Sequence, residues 1–279
     1  MTLAGKTWFV TGASTGLGRE MVREVLARGG NAVAAMRDPA MAAGLDGGDR
    51  LLVVPLDVTR PDAVTAAVKA ALARFVRIDV LVNNAGYGLL STLEEASDDA
   101  IRTQFETNLF GPIALMRACL PAMRAQGSGL VVNVSSTAGS RGFAGSGYYS
   151  ASKAGLEALT EALDGEAREL GIRGMIVAPG PFRTEFFGRS IRAPETEIGA
   201  YAPVIAARHA YIAFDGKQQG DPVRAAKIIV DAASSDDPPL RLPLGGDACE
   251  TIAAAHQAKV DQVRACAALA PLADYPPGE

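Results

Sequence analysis

Short runs rich in Val, Leu, Ile and Ala alternate with longer stretches of helical periodicity, and this alternation restricts the chain to a parallel sheet. The runs fall at residues 7–10, 32–36, 51–56, 80–82, 130–134 and 174–178, with a shorter seventh at 241–244. Helical patterns lie between them at 17–28, 62–74, 100–124 and 149–170. Parallel neighbours need long crossovers, and helices supply them on both faces of the sheet. Strands covered on both faces are apolar along their whole length, as these are.

No linker interrupts the first 180 residues, so residues 1–279 are expected to form one domain. After Pro179 the period weakens, and residues 181–220 hold six of the sixteen aromatic residues: Phe182, Phe186, Phe187, Tyr201, Tyr211 and Phe214. Two readings stay open for this stretch, a substrate lid or aromatics packed on one another. Helices are expected at 222–233 and 247–269, and the tail at Pro276-Pro277-Gly278 is expected to fray.

Between the first strand and first helix stands Thr11-Gly12-Ala13-Ser14-Thr15-Gly16-Leu17-Gly18. Glycines let a backbone approach a pyrophosphate, and a helix N-terminus offers it free N–H groups and a positive dipole end. The expected fold is therefore α/β, a Rossmann-type doubly wound parallel sheet of about seven strands with helices on both faces. Arg37 follows the second strand and offers a cation to a ribose phosphate. Asp38 stands near the distance of a ribose-binding acid, but Asp38-Pro39 also reads as a helix start with Asp38 as its cap. The expectation is NADP(H), with NAD(H) as the alternative.

The net charge of −4 argues against a nucleic-acid partner. Cys119, Cys249 and Cys266 are scattered, with no spacing that suggests a disulfide framework or a metal site. His209 and His256 stand alone. No apolar run approaches the roughly 20 residues of a membrane span, and no signal peptide is read at the N-terminus, so a cytoplasmic location is expected.

From the glycine turn to about residue 185 the chain resembles the short-chain dehydrogenase/reductase family in its compact branch. The matching landmarks are Thr11–Gly18, Leu56-Asp57-Val58, Asn83-Asn84-Ala85-Gly86, Asn108, Ser135-Ser136, Tyr149-Ser150-Ala151-Ser152-Lys153 and Pro179-Gly180, all in the family's order. The stretch from Pro238 to Gly245 is similar to a sub-branch described as hydroxysteroid-dehydrogenase-like. The resemblance implies that Gly12, Ser14, Thr15, Gly16, Leu17 and Gly18 hold the cofactor's phosphates. It further implies that Asp57, Val58, Asn84, Ala85 and Gly86 support its adenosine side, and Pro179, Gly180 and Thr184 its nicotinamide side. Two positions depart from the family pattern: Phe182 replaces a small aliphatic residue, and Val76 replaces a glycine before the fourth strand.

Reducing a ketone by hydride leaves an alkoxide that needs a proton. A tyrosine can give it if a cation lowers its pKa from about 10. Tyr149 and Lys153 are four apart and share one face of a helix. Tyr148 is a poorer candidate, because four residues beyond it is the uncharged Ser152. Ser136 follows a strand, where open α/β sheets place their ligands, and by the resemblance the serine thirteen residues before the tyrosine polarises the carbonyl. The resemblance gives Asn108 a water-mediated relay from Lys153, against the plain reading of a tolerated polar residue or a slight kink. The expected activity is carbonyl/alcohol interconversion on an apolar or ring-shaped small molecule, with Tyr87, Leu89, Leu90 and Phe143 beside the aromatic stretch as pocket candidates. A non-catalytic NADP(H) sensor and a sugar-nucleotide epimerase are the rival readings. A homodimer or homotetramer through helices 100–124 and 149–170 is expected from the resemblance.

Overall fold

Strand β1 (Thr7–Thr11) leads through the glycine turn into α1 (Gly16–Ala27) and back to β2 (Asn31–Met36) in a computed structural model that describes residues 2–275. Strand β3 (Leu51–Pro55), α2 (Pro61–Phe75) and β4 (Val80–Asn83) repeat the unit. A two-residue strand β5 (Gly88–Leu89), α3 (Asp98–Phe105) and α4 (Gly111–Gln126) precede β6 (Gly129–Val134), α5 (Gly147–Ala167) and β7 (Ile172–Pro179). The chain then forms α6 (Phe186–Arg189), β8 (Ile191–Arg192), α7 (Ala202–Ile212), α8 (Pro222–Ala233), β9 (Arg241–Leu244) and α9 (Ala248–Ala265). The tail Pro276-Pro277-Gly278 lies outside the described residues.

The main sheet has seven strands in the order β3-β2-β1-β4-β6-β7-β9, with every pairing parallel. Winding reverses at β1, which has β2 on one side and β4 on the other, and opens a crevice beyond their carboxyl ends. Side chains alternate between two cores. Trp8, Val10, Ala32, Ala34, Val80, Val82 and Val132 face α1 and α8, whereas Phe9, Val33, Leu81 and Val131 face α2 and α4. Each strand therefore needs apolar residues at odd and even positions alike, the pattern seen in the sequence.

Three departures from the sequence expectations have physical causes. The helix expected at 100–124 is interrupted by a π-turn, Glu106–Phe110, centred on the buried Asn108; such turns recur at functional sites. Residues 181–220, weak in period, nonetheless hold α6, β8 and α7, and β8 pairs with β5 to fasten this segment to the body. Val76, where a glycine was expected, caps α2 with φ of 68°, the one positive φ outside glycine among the described residues. A β-branched side chain is strained in this left-handed conformation. Val76 is 84% exposed, so its side chain gives little packing in return. The Val76→Gly variant is expected to gain about 1 kcal/mol, measurable in urea unfolding, with turnover unchanged.

Candidate active site

The glycine turn is held open by geometry and clasped from behind. Gly12 and Gly16 have φ of 63° and 56°, conformations that favour glycine. A Cβ on Gly18 would stand 2.4 Å from the Gly12 carbonyl oxygen and 2.5 Å from Asn84 Nδ2. The Asn84 amide donates to the Thr11 and Gly12 carbonyls at 3.0 and 3.3 Å, and Thr11 Oγ1 accepts from the Asn84 and Ala85 N–H groups. Asn84 and Ala85 thus act on the turn itself, while the Leu17 side chain packs on the core. Thr15 caps α1 without a side-chain hydrogen bond, leaving the first N–H groups of the helix for an anion. The turn fits a dinucleotide pyrophosphate.

After β2, Asp38 is the cap read in the sequence: its carboxylate accepts from Ala40 N at 3.0 Å and starts a short 3-10 turn at Pro39. Arg37 beside it is exposed and makes no hydrogen bond or ion pair among the described residues. Asp57 closes its own turn by accepting from Thr59 N and Oγ1 at 3.0 and 2.8 Å. Val58 is buried, close against Gly111 at the start of α4.

The catalytic residues predicted from the sequence gather beyond the ends of β4 and β6. Lys153 is 5% exposed and donates to the Val134 carbonyl at 2.7 Å. Its Nζ stands 5.9 Å from the centre of the Tyr149 ring. Gly86 lies over both Asn108 and Lys153, where a Cβ would sit 3.1 Å from Asn108 Oδ1 and 3.4 Å from Lys153 Nζ. Burial draws the Lys153 ammonium down to about 8, with the carboxylate of Glu157 opposing it. Burial raises the Tyr149 hydroxyl above its ordinary range, while a hydrogen bond with Ser136 works in the other direction. The lowering of Tyr149 expected from Lys153 is not the net effect here, because burial penalises the phenolate more than the Ser136 hydroxyl favours it.

Ser136 caps the turn after β6, its Oγ accepting from Ala138 N at 3.2 Å. Ser135, its neighbour, is buried and donates to Glu157 Oε1 at 2.6 Å. The Asn108 amide accepts from Tyr87 N at 3.1 Å and donates to Tyr87 O at 2.8 Å and to Ser152 Oγ at 3.3 Å. It is therefore first a clamp on the strand end. Gln104, one turn earlier, grips the same segment through Leu89 N and Tyr87 O. Tyr148 is set aside by structure too: its hydroxyl donates to the Leu93 carbonyl at 2.7 Å.

The 181–220 segment divides the aromatics between both readings. Phe186 lies 6.1 Å from Tyr149, and the chain of rings continues through Phe187 to Tyr211 at 6.0 and 4.8 Å. Phe182 instead joins the core beneath Gly220. Leu89 and Leu90 are buried in the body, and the Arg141 guanidinium covers Phe143. His209 pairs with Glu197 on the surface. Thr184 rests against Gly16, so the residues after β7 reach back to the glycine turn. Gly180 N donates to the Leu244 carbonyl, fixing Pro179 and Gly180 at the end of the sheet.

Sequence reasoning passed over Glu157, Gln104 and the ion pair of Glu95 with Arg208. Glu157 had a signal, a carboxylate one turn beyond Lys153 on a helix face that must be buried. The other two depend on contacts remote in sequence.

A glycine cradle at the switch point of a parallel sheet, with Ser136, Tyr149 and Lys153 gathered beside it, defines a nicotinamide-dinucleotide oxidoreductase. Residues 6–195 match the short chain dehydrogenase family, and the chain belongs to that family. Oxidoreductase BOA17 of Botryotinia fuckeliana is 34% identical over 88% of this chain and 90% of its own. A short-chain dehydrogenase from Streptomyces avermitilis is 38% identical, with a TM-score of 0.89 over 96% of this chain and all of that one. A Burkholderia cenocepacia short chain dehydrogenase in complex with NADP is 26% identical, with a TM-score of 0.74 over 95% and 98% of the two chains.

Proposed function

We propose that this oxidoreductase prefers NADP(H) and interconverts a ketone or aldehyde and its alcohol on an apolar or ring-shaped small molecule. The observation that carries the reading is the meeting of Ser136, Tyr149 and Lys153 beside Gly86 and the glycine cradle. Gly12, Ser14, Thr15, Gly16 and Gly18 would hold the phosphates; Asp57, Val58, Ala85 and Gly86 the adenosine side; Pro179, Gly180 and Thr184 the nicotinamide side. When bound, the cofactor supplies or accepts the hydride. The Ser136 hydroxyl donates to the substrate oxygen and polarises its carbonyl. Tyr149 gives its hydroxyl proton to that oxygen as negative charge develops, or takes it back in oxidation. The ammonium of Lys153 favours the phenolate left behind, and Asn108 keeps the Tyr87 strand end in place beside it, next to a water-borne path for the proton. The rings of Phe186, Phe187 and Tyr211 favour a flat apolar substrate. The rest of the reading is a cytoplasmic protein that pairs through α4 and α5 as a dimer or tetramer.

Exposed and without a partner among the described residues, Arg37 supports NADP(H), as does the NADP held by the Burkholderia relative. The test is parallel titration with NADPH and NADH, followed by NADPH consumption over aryl ketones, quinones, aldehydes and ketosteroids. Tighter NADPH binding is expected, and Arg37→Ala should weaken it by about 10–100-fold, the worth of a charge-assisted hydrogen bond, with NADH unaffected. Equal or tighter binding of NADH by the wild type would overturn the preference. Tight NADPH binding without turnover in either direction would favour the sensor.

A further inference from the structure

Lys153 and Tyr149 are served by a second layer of charge that the catalytic reading does not use. Lys153, Glu157 and Glu161 recur every four residues along one stripe of α5. Glu157 is 7% exposed, and its carboxylate is shared. Ser135 Oγ donates to Oε1 at 2.6 Å, and Arg241 of β9 donates to Oε2 at 2.9 Å. Arg241 also pairs with Glu161. Gly139 leaves the space this carboxylate occupies: a Cβ there would lie 2.1 Å from Glu157 Oε1 and 2.5 Å from Ser135 Oγ. A side chain so placed joins the serine turn, the lysine helix and the last strand of the sheet.

We propose that Glu157 is a positioning residue of the site, fixing the Ser135-Ser136 turn by hydrogen bond and supplying the counter-charge that keeps buried Lys153 an ammonium. The inference rests on the reading of Ser136, Tyr149 and Lys153 as the catalytic group. Two acids and two bases form the set, so Glu157, Glu161 and Arg241 together carry the single negative charge that Lys153 balances. A buried ammonium with no counter-charge sheds its proton instead.

The other groups around Lys153 do not supply that charge. Tyr149 is on the same helix, with Tyr211 of α7 beyond it, and Asn108 of the π-turn and Ser136 are neutral. Strand β5 has no ionisable residue; Asp98, Asp99 and Arg102 of α3 are exposed, as are Cys249 and Glu250 of α9. Arg173 of β7 is paired with Asp164 and Asp237.

The test reads the proton on Lys153 directly and needs no substrate. Full-length protein carrying 13Cε-labelled lysine is titrated by NMR, and the Lys153 signal is identified by its loss in Lys153→Met. The midpoint is expected near 8 in the wild type. Glu157→Gln, which keeps an acceptor for Ser135 but not the charge, should lower it by about one pH unit. Arg241→Gln should raise it by a comparable amount, because the carboxylates are then less neutralised. Glu157→Asp should restore a midpoint close to that of the wild type. Opposite signs at 157 and 241 mark a charge acting through space, which loosened packing would not produce. Unmoved midpoints, or shifts of the same sign in both variants, would overturn the proposal. Should Glu157→Gln not fold, Arg241→Gln decides alone, at a side chain 35% exposed. A missing turnover would overturn the reductase reading without touching this titration.

Discussion

Tyr149→Phe is expected to lower kcat by about 10²–10⁴-fold, the range that a positioned general acid contributes, while NADPH affinity changes less than about twofold. The ring makes no core contact that its hydroxyl decides: Phe186 lies 6.1 Å away, and Gly88 leaves room for both rings. A phenylalanine therefore keeps the packing and loses only the exchangeable proton and the hydrogen bond with Ser136. Steady-state rates and a fluorescence titration of NADPH give the two numbers. A variant that keeps most of its activity would remove Tyr149 from the role of acid and base. Equal loss of rate and of cofactor binding would assign the residue to the binding of NADPH instead.

The second large effect is on the 181–220 segment. The Glu95 side chain, after β5, is buried and pairs with Arg208 of α7 at 2.8 Å; the Arg208 side chain is 2% exposed. Glu95 also accepts from Ile198 N and Thr92 N, and Arg208 reaches Glu197 at 2.7 Å. A buried ion pair adds little against an apolar substitute, but removal of one partner leaves the other charged in the interior, at about 3–5 kcal/mol. Arg208→Ala should therefore release the 181–220 segment from the body. Protease cleavage within 181–220 should become at least about tenfold faster, and KM for the substrate should rise more than kcat falls. Unchanged cleavage would mean that β5 and β8 hold the segment without this pair.

Much of the fold was legible because parallel strands covered on both faces must be apolar at every position. That requirement placed all seven strands of the sheet within about two residues, even the short β9. The glycine turn was legible for a similar reason, since positive φ at Gly12 and Gly16 and the absence of space at Gly18 leave few other residues possible. Tyr149 and Lys153 could be paired from a spacing of four because both sit in α5. Arg37 and Asp38 were separated by the proline that follows, which made Asp38 a cap.

The 181–220 segment and the supports of the site were hidden for the opposite reason. Residues 181–220 are ordered by partners elsewhere in the chain, namely Gly88-Leu89 for β8 and Glu95 for Arg208, so no local period announces them. Phe182 and Phe186 look alike in the sequence, yet one enters the core and the other faces Tyr149. Val76 read only as a replacement of the family's glycine, whereas the left-handed cap it must adopt gives it a conformational cost. Burial decided the electrostatics, since a lysine four residues from a tyrosine carries no sign of whether water reaches it. By itself the sequence determined the sheet, the glycine turn and the Tyr149–Lys153 spacing, because each is written in residues close along the chain or repeated by period. Only the tertiary structure decided which carboxylate meets which cation, and which aromatic faces Tyr149, because those contacts depend on segments that approach one another only when the sheet closes its winding.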